Sequence, residues 1–159
     1  MAVRDIVQEP NEVLRKVARP VKEITPHILQ LLDDMQETLA LAEGVGLAAP
    51  QVGVLRRVVV IDVGEGVIEL INPEIIETDG EQTGAEACLS CGPVRGIVTR
   101  PMYVKVRALD RNGQMQEYEG EELLARAFCH ELDHLDGKLF LDIMEAEIVE
   151  DEAADEEEE

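Results

Sequence analysis

His130-Glu131-Leu132-Asp133-His134 sets two imidazoles and a carboxylate at helical spacing. Residues three and four apart share a helix face, so His130 and His134 can grip one ion while Glu131 leans over an open coordination position. That arrangement predicts a metal that activates water. Two nitrogens leave the site short of a ligand. Cys88, within Glu86-Ala87-Cys88-Leu89-Ser90, is the best remaining donor in the chain, because a thiolate binds first-row metals tightly.

A helix, a strand and a loop must bring these groups together. Leu124, Ala127, Phe128, Glu131, Leu132 and Leu135 recur as a buried stripe, predicting a helix from about Glu121 to Leu135 that Gly137 stops. Cys88 falls in a strand predicted over Glu86 to Ser90. Leu55 to Val63 and Val67 to Asn72 flank Gly64-Glu65-Gly66 and read as a hairpin, and further strands are predicted over Gly96 to Arg100, Tyr103 to Leu109 and Met115 to Glu119. Near the start, Asn11 caps a short helix through Ala18 that Pro20 stops. A long helix then runs from Thr25 as N-cap and Pro26 at the first position to Gly44, with Ile28, Leu31, Leu32, Met35, Leu39 and Ala42 as its core face. His27, in its first turn, reads as a surface or capping residue. Gly44 to Gly53 is predicted to be a loop whose glycines permit close approach of a substrate. Strands in a block with helices at the ends indicate an α+β fold.

The 159 residues fit one domain, with 45 % hydrophobic residues in short runs, none long enough to cross a bilayer. Met1 to Ile6 lacks the basic-then-apolar pattern of a signal peptide, which predicts a protein that stays in the cytosol. Three cysteines are a poor disulfide framework and agree with a reducing compartment. Of the formal charge of −21, ten acidic side chains lie in residues 145–159 with no basic ones, leaving −11 on the body. We therefore expect a domain over residues 1–144 and a solvated, disordered acidic tail over 145–159. No basic stripe suggests direct nucleic-acid binding.

Three ordered motifs, Gly44-Val45-Gly46-Leu47-Ala48-Ala49-Pro50-Gln51, Glu86-Ala87-Cys88-Leu89-Ser90 and His130-Glu131-Leu132-Asp133-His134, resemble the peptide deformylase family. The likeness extends across most of residues 1–144. It implies antiparallel sheets packed around the C-terminal HExxH helix, and a bacterial, cytoplasmic hydrolase that removes the N-formyl group from the initiator methionine of new proteins. By that resemblance Cys88, His130 and His134 hold the metal, and Glu131 takes a proton from water and returns it to the departing amine. The Gln51 amide and the Leu89 backbone N–H stabilise the oxyanion, and Val45 and Gly46 present backbone groups to an extended formyl-methionyl peptide. Val45 and Ala127 line the methionine slot. The resemblance points to ferrous iron, with zinc, nickel and cobalt also compatible with the donors. Nascent substrates imply a transient ribosome contact and no membrane.

The spelling departs from the family at Ala87, where glycine is common, at Cys91-Gly92-Pro93, and at Cys129, which should point about 100° from the metal face. Cys88 and Cys91 form a CxxC, but no second pair accompanies it; Cys91 and Cys129 read as packing residues, although oxidation joining Cys88 to Cys91 would expel the metal. A zincin-type peptidase would need a third ligand downstream of the helix, where Gly137 stops it. A deformylase-like module that only binds peptide would have no use for Gln51 beside Glu131. Glu86 and Arg100 read either as a brace for the ligand strand or as an exposed ion pair, and Asp133 either as an orienting residue or as part of a solvated face.

Overall fold

The structure is a computed structural model that describes residues 2–149. Two sheets enclose one central helix. Strands β1 (Gly46–Ala48), β2 (Val58–Ile61), β3 (Ile68–Asp79), β6 (Tyr103–Leu109) and β7 (Met115–Glu121) form an antiparallel sheet in the order β1-β2-β3-β6-β7. Strands β4 (Gln82–Ala87), β5 (Arg95–Arg100) and β8 (Ala146–Glu147) form the second, in the order β4-β5-β8. Helix α1 (Pro26–Ala42) covers the outer face of the larger sheet, and α2 (Leu123–Leu135) packs on its inner face.

Strand β2 shows why the sequence needs both helices. Val58 and Val60 pack with Leu31, Leu32, Met35 and Leu39 of α1. Val59 and Ile61, pointing the other way, pack with Ala125, Phe128 and Leu135 of α2. An unbroken run of four β-branched residues is what a strand covered on both faces requires. A third cluster joins the smaller sheet to the chain after α2 through Val98, Leu139, Phe140 and Leu14.

Four expectations change in detail. The short helix near the start is only a 3₁₀ turn, Glu12–Arg15; beyond it the backbone is drawn out to give Ala18 N–H to Leu135 O at 2.8 Å and Arg19 N–H to Leu55 O at 3.1 Å. Helix α1 closes on a left-handed Glu43 rather than on Gly44, whose missing side chain leaves room for Leu89 instead. The expected loop from Gly44 to Gly53 contains strand β1 and a 3₁₀ turn, Ala49–Val52. Finally, the chain stays on the domain past residue 144, because β8 uses the free edge of β5: Glu145 N–H reaches Ile97 O at 2.7 Å and Ile148 N–H reaches Arg95 O at 2.8 Å. The remainder of the acidic tail, 150–159, lies outside the described residues.

Candidate metal centre

Helix α2 carries His130 and His134 one turn apart on a buried face, with ring centroids 5.0 Å from each other. Cys88 approaches from the smaller sheet. Strand β4 ends at Ala87, so Cys88 opens a turn rather than lying within a strand; Cys91 N–H closes that turn on Cys88 O at 3.0 Å. The turn lays the Cys88 Sγ 3.3 Å from His134 Nε2. Among the described residues, donor atoms of Cys88, His130 and His134 lie within 4.8 Å of one another, and all three side chains are buried. A soft sulfur and two imidazoles around one point suit a first-row divalent cation.

Behind His130 stands a network of charges. His130 Nδ1 meets Glu86 Oε1 at 2.8 Å, which leaves Nε2 for the cluster. Glu86 also accepts Arg100 Nε and Nη2, at 2.8 and 3.0 Å, and Arg126 Nη1 at 2.7 Å. Arg100 in turn reaches Asp133 Oδ2 at 2.8 Å. Glu86 and Arg100 are therefore a buried brace, and Asp133 acts on the site through Arg100. Burial alone would raise the Glu86 carboxyl, but hydrogen bonds from Arg100 and His130 hold it at about 2. Arg126 escaped sequence reasoning. Its position four residues before His130, on the same helical face, was the available signal.

The open side of the cluster is less complete. There Glu131 Oε1 is buried without a hydrogen-bond partner; His134 Nδ1, on the ring edge turned away from Cys88, is buried and unpartnered too. Burial pushes the Glu131 carboxyl up to about 7 and the His134 imidazole well below its usual value, keeping the latter neutral and able to ligate. The Cys88 thiol is raised by its hydrogen bond with Cys91, by burial and by the Glu131 charge. Gln51 points its side chain into the same place: Oε1 accepts Ala48 N–H at 3.0 Å, while Nε2 donates to Ser90 Oγ at 3.0 Å and lies 3.5 Å from Cys88 Sγ. Ser90 was likewise not singled out from the sequence.

All of Val45, Gly46, Gln51, Cys88, Leu89, Ala127, His130 and Glu131 border one cavity of about 480 Å³. Arg126 and Glu86 close its inner end. Gly46 passes so close to Glu131 that an added Cβ would sit 2.6 Å from Oε2. His27 is exposed on α1, outside this group, and Cys129 points into the core between α2 and the larger sheet. Cys91 is buried beside Cys88 in the smaller sheet's core.

Comparison with known proteins agrees along nearly the whole chain. The family model for polypeptide deformylase matches residues 3–148. A peptide deformylase from Thermoanaerobacter pseudethanolicus is 62 % identical over 142 residues, 89 % of each chain. Solved peptide deformylases from Legionella pneumophila and Thermotoga maritima superpose with TM-scores of 0.87 and 0.88 at 44 % and 39 % identity. The first alignment covers 90 % of this chain and 86 % of the other; the second covers 91 % and 99 %.

Proposed function

This chain belongs to the polypeptide deformylase family, metal-dependent hydrolases that remove the N-formyl group from nascent peptides, and from that premise we propose which of its residues carry the reaction. Cys88, His130 and His134 hold the cation, with ferrous iron as the working ion and zinc, nickel or cobalt able to replace it. The observation that carries this reading is the convergence of three buried donors beside a carboxylate with a free, buried oxygen. The cation, when bound, supplies Lewis acidity that makes water a nucleophile near neutral pH.

Glu131 accepts the proton from that water as it attacks the formyl carbon, then gives it to the amine as the carbon–nitrogen bond breaks. Gln51 Nε2 and the Leu89 N–H stabilise the negative oxygen of the tetrahedral state. In support, Gln51 is clamped at both ends of its amide with Nε2 turned towards Cys88. Among the described residues β1 pairs only with β2, so Gly46 and the Val45 just before it can add an extended peptide by backbone hydrogen bonds. The methionine side chain enters the cavity between Val45 and Ala127. Among the described residues no helix is long and apolar enough to cross a membrane. Substrates that are nascent chains place the work in the bacterial cytoplasm, with brief contact at the ribosome.

The test is formate release from formyl-Met-Ala-Ser by protein loaded with iron under anaerobic conditions. We expect turnover in the parent chain and a loss of at least about 10²-fold in Glu131→Ala with metal content unchanged. Cleavage of the Met–Ala bond would identify a peptidase instead, and binding without turnover would identify a peptide-binding module.

A further inference from the structure

Thirty-five acidic side chains surround fourteen lysines and arginines, so a cation with no carboxylate neighbour is unexpected here. Arg111, for example, is paired with both Asp33 and Glu69. Among the described residues, Lys16, Arg19, Lys22, Arg56 and Lys138 form no ion pair. Three of these five, Arg19, Lys22 and Arg56, line a single cleft of about 950 Å³ between the segment before α1 and the turn after Gly53. It shares no residue with the cavity at the metal centre.

The backbone enforces this crowding. Arg19 and Arg56 are partners in an isolated parallel β-bridge, framed by Arg19 N–H to Leu55 O at 3.1 Å and Arg57 N–H to Arg19 O at 3.0 Å. Like charges held opposite each other on paired backbone are destabilising, and among the described residues neither guanidinium has a counter-ion. Arg4, at the cleft wall, has its charge answered by Asp34 at 2.8 Å, and Glu23 is the carboxylate on the rim. The floor is apolar, built from Val21, Ile28, Leu31, Val54 and Leu55. Its volume falls within the range of small-molecule sites, roughly 300–1,000 Å³.

We propose that this cleft binds a small phosphorylated organic anion of nucleotide size, with its phosphates on Arg19, Arg56 and Lys22 and its less polar body on the floor. Guanidinium pairs match phosphate oxygens in both charge and geometry. An extended polyanion fits less well, since outside the cleft it would meet a body of net negative charge.

Adenosine 5′-diphosphate is a suitable probe, titrated without magnesium into the full-length, zinc-loaded protein and followed by amide chemical shifts. Saturable shifts at Arg19, Lys22 and Arg56, with a Kd below about 1 mM, are expected. Affinity should fall at least about tenfold in the double variant Arg19→Ser, Arg56→Ser, while formate release, which reports that the variant is folded, stays unchanged. The proposal fails if those amides do not move, if the double variant binds equally well, or if the shifts are confined to the Cys88 and His130 region, where phosphate would be meeting the metal. A short single-stranded RNA that saturates the same residues while adenosine 5′-diphosphate does not would overturn it in favour of a nucleic-acid surface.

Discussion

The two sides of His130 are finished to different degrees. On the inner side every charge is answered: Glu86 takes hydrogen bonds from Arg100, Arg126 and His130, and Arg100 also holds Asp133. On the cavity side, Glu131 Oε1 is buried with nothing to bond, and the Glu131 carboxyl is raised to about 7. Buried polar groups normally find partners, because an unsatisfied one costs about 1–3 kcal/mol. The inner side is thus scaffold, complete when the chain folds. The cavity side is completed by what binds there, and it is where the chemistry belongs.

If that contrast is right, damage to the inner side should register as lost stability. Glu86→Gln leaves Arg126 and part of Arg100 as uncompensated buried charge, and should cost about 3–5 kcal/mol in urea unfolding. The effect carries a pH signature. The Glu86 carboxyl sits at about 2 in the folded chain, below its ordinary 4.5. Its stabilising contribution is therefore fully present above pH 4.5 and is lost as pH falls through the folded value near 2. The stability gap between parent and variant should narrow over that window. A gap independent of pH would mean that the Glu86 charge is not what the two arginines require.

Damage to the cavity side should do the reverse. In Gly46→Ala the new methyl would meet Glu131 Oε2 at 2.6 Å and Cγ at 2.8 Å. The Glu131 side chain must rotate from Cγ outward, and the cavity it borders gives it room, so the fold should survive with a small drop in melting temperature. The carboxylate would then be displaced from the position in which we propose that it acts, and misplacement by about 1 Å can cost roughly 10²-fold in rate. Formate release should fall by about that factor with metal content intact. An equally large loss of stability would erase the distinction between the two sides.

Much of this layout is legible in the sequence where it depends on local spacing. The HExxH histidines, the Thr25 cap of α1, the hairpin of β2 and β3 and the run Tyr103–Leu109 each follow from residues a few positions apart. What escaped depends on distant pairing. Strand β1 hides in a glycine-rich stretch because its partners, Val59 to Ile61, come more than ten residues later. Arg126 is charged, and by composition belongs on a wet helix face. It is buried because β4 brings Glu86 to it from 40 residues away and β5 brings the Val98 carbonyl from 28. The continuation beyond residue 144 escaped for the same reason: acidic side chains suggested solvent, yet the backbone of Ala146 and Glu147 needed only the open edge of β5.

Between the two sides stands Gln51, whose amide faces the metal centre but is held by ordinary structural bonds, and it makes the finest test of the contrast. Removing the amide in Gln51→Ala should cost about 10²-fold in kcat if it stabilises the oxyanion. Ser90→Ala removes only the Oγ that holds Nε2 at 3.0 Å, while the Ala48 N–H still fixes Oε1. One neutral hydrogen bond is worth about 0.5–1.5 kcal/mol, so kcat should drop by less than about tenfold, with KM unchanged. A Ser90→Ala loss as deep as that of Gln51→Ala would mean that the hydroxyl itself touches the reacting atoms, and the boundary between scaffold and site would move one residue outward.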